Sequence, residues 1–313
     1  MDPVAEEARM DVRRGWQRAA LLFFVVLALA SPFGPMVLIG VPLLVLIGTG
    51  GIRSVPAFMV TVLTMVVVML GATDDLWYLE RAWALVAGGI FAALAVGVPS
   101  WPLASRALAA VGSTFALFAA YLGLRPAGWQ SVDWSVTGTI EAGYQGALDL
   151  MILAREGQPL DPVFVTSMMW LKETTIHVFP ARLALQTVGA LAAAWWVYLR
   201  IVRSNERFGS LRQFRFNDHL VWLMIAGLAI MALRPVGGVG RIGANLAVFM
   251  GGLYALRGLG VFVFLNGGLT WIGITLVTIG LFFFAPLLVG FMLIIGVADT
   301  WLDVRTRVSA AAG

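Results

Sequence analysis

Arg257 is the residue of this chain that most needs a chemical reason. It falls inside an apolar run, residues 242–265, and an ionised arginine at the centre of a lone membrane helix costs roughly 2.5 to 3.5 kcal/mol on insertion scales. Such a side chain should not face lipid. Tyr254 lies three residues earlier, and helix positions three apart share a face. With Asn245 on the same run, Arg257 and Tyr254 are candidate ligand-binding residues for an anion or carboxylate held inside a helical bundle. The structural alternative has Arg257 bonding helix-end carbonyls or a buried acid, or snorkelling toward the interface.

Other polar residues carry weaker chemistry. Glu173 and His177 are four apart and share a helix face, but with two histidines and no cysteine a zinc site would need distant carboxylates. A hydrogen-bonded pair at a membrane interface is expected instead, and neither a metal nor a cofactor is assigned. Asn217 or Asp218 is expected to cap the helix that follows by accepting an orphan backbone N–H, with a proton relay through Asp218 and His219 as the alternative. Gly237-Gly238-Val239-Gly240-Arg241 neither follows a strand nor opens a nucleotide-binding unit, so it is not a phosphate loop. Absence of cysteine excludes disulfides and thiolate chemistry, and no catalytic residue is assigned.

The elements that hold these residues are membrane helices. Gly258 to Ala298 is forty-one residues without a charged side chain, and a helix crosses the hydrocarbon core with about 20 apolar residues. Composition agrees: 60% hydrophobic, 12% charged, mean hydropathy +0.90. Candidate crossings are residues 17–31, 34–50, 55–71, 82–98, 103–123, 180–202, 218–233, 242–265 and 269–298. The expectation is therefore an all-α polytopic transmembrane bundle, a single integral domain over residues 1–313, with about nine segments (eight to ten). Pro286 should kink the last of them. Gly88-Gly89, Gly251-Gly252, Gly258 and Gly260 should let helices approach closely. Trp77, Trp83, Trp101 and Trp301, near segment ends, should anchor at the interface.

Orientation follows from the arginines, which accumulate in short cytoplasmic loops. Arg200, Arg203, Arg207, Arg212 and Arg215 cluster between the sixth and seventh segments. Placing them inside also puts residues 1–18 in the cytoplasm and residues 72–81 and 123–179 outside. Nine crossings would send Asp299 to Gly313 outside, whereas Arg305 and Arg307 favour the inside. Residues 124–179 read as two external amphipathic helices. In the first, Ile140, Tyr144, Ala147, Leu148, Met151 and Ile152 share a face opposite Glu141, Gln145 and Asp149. The second begins at Asp161-Pro162, an N-cap followed by proline. The net charge of +4 records loop topology, since no basic run is interleaved with aromatics; nucleic acid is not a partner.

Several motifs carry a resemblance. His177-Val178-Phe179-Pro180 opens a membrane helix, and an Arg-bearing loop closes on Phe214-Arg215-Phe216-Asn217-Asp218-His219-Leu220-Val221-Trp222. Gly243-Ala244-Asn245-Leu246, Leu253-Tyr254-Ala255-Leu256-Arg257-Gly258-Leu259 and Asp299-Thr300-Trp301-Leu302-Asp303-Val304-Arg305 follow. Together they resemble the YybS-type family of predicted bacterial membrane proteins, which is distantly similar to the substrate-binding subunits of energy-coupling-factor transporters. The resemblance implies a multi-pass protein of the bacterial inner membrane. A polytopic bundle carrying Arg257, the lid-like external helices and this distant likeness together lead to the expectation of a solute-binding or transport component. A non-catalytic assembly or scaffold subunit is the alternative. The expected partners are the lipid bilayer, membrane-protein subunits and a small-molecule solute.

Overall fold

The computed structural model describes residues 35–49, 75–202, 214–233, 238–266 and 271–312. The segments expected at 17–31 and 55–71, the N-terminal residues 1–18, and Arg203, Arg207 and Arg212 lie outside that set. Among the described residues the fold is all-α, with no strand. The helices are α1 (Pro35–Thr49), α2 (Asp75–Gly97), α3 (Leu103–Gly123), α4 (Gly128–Ala154), α5 (Pro162–His177), α6 (Phe179–Val202), α7 (Val221–Ala232), α8 (Gly238–Leu265), α9 (Trp271–Leu302) and α10 (Val304–Ala312). A single 3-10 turn, Asp218–Leu220, leads into α7.

Four of these helices contain a stretch long and apolar enough to cross a bilayer: Leu79–Gly97, Leu103–Gly123, Gly238–Leu265 and Phe283–Leu302. A fifth arises if α5 and α6, bent by 71° at their junction, form one broken span. These helices make the chain a membrane protein, with fewer spans among the described residues than the nine expected. Two of the nine, 17–31 and 55–71, fall outside the described residues, and length accounts for two more. The 34–50 segment is α1, whose apolar part Val37–Ile47 is too short, and 218–233 likewise forms only the short apolar helix Asp218–Ala232. The 269–298 segment is α9, broken internally at Phe284 (φ −130°, ψ 30°). Pro286 lies two residues on; it lacks an N–H and its ring crowds the carbonyl four residues earlier, which opens the helix there.

The helices divide into two compact units, one within Met1–Gly143 and Gln186–Phe208, the other within Tyr144–Leu185 and Gly209–Gly313. In the first, α1 packs on α2 where a Cβ on Gly88 would stand 2.8 Å from the Pro42 backbone. Its core is aromatic: Trp83 meets Phe115 and Phe118 edge-on, and Phe91 meets Trp195. Trp83 is buried and donates its indole N–H to Thr187 Oγ1 at 2.9 Å, so it is a core residue and not the interfacial anchor expected. Trp101 and Trp301 are exposed, as anchors would be. Arg106, also buried, donates to the Trp101 carbonyl at 2.8 Å and lies over the Trp195 ring.

In the second unit α8 is the helix on which the others pack. α7 runs antiparallel to it, and the two touch at a pair of glycines: a Cβ on Gly227 would lie 2.8 Å from Ala247 N, and one on Gly243 would lie 3.1 Å from Gly227 O. α9 approaches more closely still. A Cβ on Gly258 would lie 1.8 Å from Met292 O, and one on Gly296 would lie 1.9 Å from Tyr254 O, so these backbones are in direct contact. Without a hydrophobic driving force between helices in lipid, such close contact maximises van der Waals packing. Gly89, by contrast, faces open space.

Asp161 caps α5 as its sequence predicts, its Oδ1 accepting from Val163 N at 2.7 Å. Ile140, Tyr144, Ala147 and Leu148 on α4 are half-buried, whereas Glu141, Gln145 and Asp149 are exposed. Met151 and Ile152, assigned to the same apolar face, are exposed.

Candidate functional site

Two polar clusters sit on α8, one near each end of its buried stretch. The first joins the start of α8 to the α5–α6 corner. Pro180 has no N–H to donate, and the first turn of α6 needs acceptors for its orphan donors. Asn245 supplies one: its Oδ1 accepts from Ala181 N at 2.8 Å, while its Nδ2 donates to His177 O at 2.8 Å and Arg241 O at 2.9 Å. Arg241 adds bonds to Ile176 O and His177 O. Each polar atom of the Asn245 amide group is therefore used in holding the corner. The Glu173–His177 pair takes a form the sequence did not predict, His177 Nδ1 lying 3.1 Å from the Glu173 backbone carbonyl.

The second cluster surrounds Arg257, twelve residues further along and so about 18 Å away at 1.5 Å per residue. Arg257 is 1% exposed. Its Nε donates to Asp299 Oδ2 at 2.9 Å and its Nη1 to Asp218 Oδ1. Asp299, fully buried near the end of α9, takes a second guanidinium on the same oxygen, Arg305 Nη2 at 2.7 Å. Arg305 is buried at the start of α10 and also donates Nη1 to the Phe214 carbonyl at 3.1 Å. Beside this core Arg215 pairs with Asp303. Three arginines and three aspartates thus meet, drawn from the segment before α7, from α8, and from the α9–α10 junction.

Phe216 closes the cluster over Arg257 and Tyr254. It is buried, its ring meets Tyr254 edge-on at 5.1 Å, and the Arg257 guanidinium carbon lies 5.7 Å from its centroid. Asn217 caps the 3-10 turn through His219 N at 3.0 Å. That leaves the neighbouring Asp218 carboxylate available to Arg257. Tyr254 is wholly buried near Thr300, and among the described residues neither its hydroxyl nor Asp299 Oδ1 makes a hydrogen bond. Asp303, at the α9–α10 corner with φ +41°, has its carboxyl held below the ordinary carboxylate range, first by a hydrogen bond with Thr306 and then by Arg215.

Of the three residues picked from sequence, Tyr254 and Arg257 come together and Asn245 does not. The acids that neutralise Arg257 were missed, being 39 and 42 residues away in sequence. A charge count would have pointed to one of them: Asp299 ends the forty-one-residue uncharged run that begins immediately after Arg257. The cluster also fixes a topological relation. The start of α10 lies against Phe214 and Arg215, so the C-terminal segment and the segment leading into α7 share one end of this unit. Counting nine crossings had put them on opposite sides.

No family model, curated protein or solved structure matches the chain.

Proposed function

We propose that this chain is a solute-binding or transport component of the bacterial inner membrane, with the Arg257 cluster as the moving part of its cytoplasmic end. One observation carries the reading: Arg257 and Asp299, both on membrane-spanning helices, are fully buried as an ion pair. Ionisable groups within the membrane are costly and recur along substrate and ion pathways. A buried ion pair is also poor value as a stabiliser, because apolar side chains of the same volume often do as well. The segment that leads into α7 is fastened to this end chiefly by ion pairs and hydrogen bonds, with the Phe216 ring as its apolar contact, and such a contact can open. Resemblance to the YybS-type family points the same way, and the arginines at 200–215 support a cytoplasmic location for this end and for residues 1–18.

A second reading, a non-catalytic assembly or scaffold subunit, is favoured by a different observation: Arg257 already has its anions within the chain. Purification in lipid nanodiscs followed by mass spectrometry separates the two. A small molecule retained in stoichiometric amount, and lost from an Arg257→Leu variant that still folds, supports the transport reading. A stoichiometric protein partner with no retained solute supports the scaffold and rejects transport.

A further inference from the structure

The two acids on Arg257 are not equivalent. Asp299 is inaccessible, and Arg257 grips it through Nε to the side chain and Nη2 toward its backbone carbonyl. Asp218 contributes a single contact, to Nη1, and its side chain is 61% exposed. One partner is built into the helix pair and the other reaches in from solvent.

Asp218, the first residue of the 3-10 turn, ends a short segment that is nonhelical from Phe214 to Asn217 and is fastened to α8 at Arg257 and to the α9–α10 junction. Its attachments are few and polar: the Phe214 carbonyl to Arg305 Nη1, Arg215 to Asp303, and Asp218 to Arg257 Nη1, with the Phe216 ring beneath. Two of these attachments do the same job. Each gives an acceptor oxygen to the Nη1 group of a buried guanidinium, and the two guanidiniums are already drawn together by sharing Asp299 Oδ2.

We infer that the Phe214–Asp218 segment is a displaceable strap over an oxyanion site, with the Asp218 carboxylate and Phe214 carbonyl standing where the oxygens of a small carboxylate or phosphate bind. When the strap lifts, Arg257 Nη1 and Arg305 Nη1 each lose an acceptor while Asp299 continues to hold both guanidiniums in place. A ligand with two acceptor oxygens replaces what the strap supplied, since guanidinium forks match carboxylate and phosphate geometry. Binding and strap release are then one event, because the ligand and Asp218 compete for the same N–H. The inference rests on the transport reading for its purpose but not for its test.

The test is chemical rescue of the full-length protein in phosphatidylcholine nanodiscs, read by its thermal midpoint. Asp218→Ala deprives Arg257 Nη1 of its acceptor and is expected to lower the midpoint by about 5 °C or more. Millimolar acetate or inorganic phosphate should restore it saturably, while chloride at equal ionic strength does not. If phosphatidylglycerol nanodiscs restore it without added anion, the oxyanion is a lipid headgroup phosphate. Asp218→Ser, which also vacates the carboxylate position but keeps a polar side chain at the start of the 3-10 turn, serves where the alanine variant does not fold and should show the same rescue. An unchanged midpoint in both variants, or rescue no better than chloride by either soluble anions or phosphatidylglycerol, overturns the inference. Failed rescue with a co-purifying solute removes this site and leaves the transport reading standing. Successful rescue with no solute does the reverse.

Discussion

Gly258 lies against Gly296 with no room for a side chain on either, and this contact brings Arg257 to Asp299. A Cβ at either position would fall within 2 Å of a carbonyl oxygen on the opposing helix, Met292 O for Gly258 and Tyr254 O for Gly296. Arg257 is the residue next to one glycine, and Asp299 is three residues from the other. A wider helix separation would draw the carboxylate away from the guanidinium Nε, whose bond is 2.9 Å. The glycines set the spacing and the charges use it.

Gly258→Ala and Gly296→Ala should therefore each destabilise the protein by more than the ~1–3 kcal/mol usual for overpacking, because the obstructing atoms are backbone. Gly89→Ala, at a helix position where an added Cβ meets nothing within 4 Å, should be neutral or slightly stabilising. Thermal midpoints of the three variants in one detergent check this, and equal effects at Gly89 and Gly258 would contradict it.

Removing charge from Asp299 should cost more than removing it from Asp218. Asp299 accepts from two buried guanidiniums and is inaccessible, whereas Asp218 serves one and is mostly exposed. Breaking a buried pair by losing one partner costs about 3 to 5 kcal/mol, so Asp299→Asn is expected in that range and Asp218→Asn clearly below it. Chemical denaturation of the two variants gives the comparison.

Asn245→Ala acts at the other end of α8. It removes the acceptor for Ala181 N and two donors to carbonyls, and loss of a helix cap costs about 1 kcal/mol. Amide exchange should accelerate at Ala181 and through the α5–α6 corner. Acetate rescue of Asp218→Ala should be unchanged in the Asn245→Ala background, since about 18 Å of helix separates the clusters.

The Asp303 carboxyl has a depressed pKa in the folded state, through Thr306 and Arg215. Its contribution is therefore complete above the ordinary carboxylate value of about 4 and is lost as pH falls through the lower folded value. Amide exchange in α10 should be flat from pH 7 to about 4, after correction for intrinsic rates, and should lose protection below that. In Asp303→Asn this acid-induced loss should be smaller.

The membrane setting, the Pro286 break, the Asp161 cap and the close approach at Gly88 and Gly258 were legible in the chain because each depends on local composition or on one residue's covalent geometry, whereas Gly89, equally apolar in its surroundings, faces open space. Arg257 was legible as a problem: a charge in an apolar helix must find a partner. Which partner was not, since Asp218 and Asp299 become neighbours only through the folding of α7 and α9 onto α8. Asn245 was misplaced beside Arg257 for a related reason. Sharing a helix is not sharing a site when twelve residues intervene. Trp83 failed as an anchor because its distance from a segment end says nothing about which face it takes, and that face is buried against Thr187.

The most direct measurement is a double-mutant cycle on Arg257→Leu and Asp299→Leu, with unfolding free energies of the full-length protein in one detergent. The charge pairing across α8 and α9 predicts that the double variant is more stable than the sum of the single losses allows, with a coupling of about 2 kcal/mol or more. Additive losses, within about 0.5 kcal/mol, would mean that Arg257 and Asp299 do not neutralise one another.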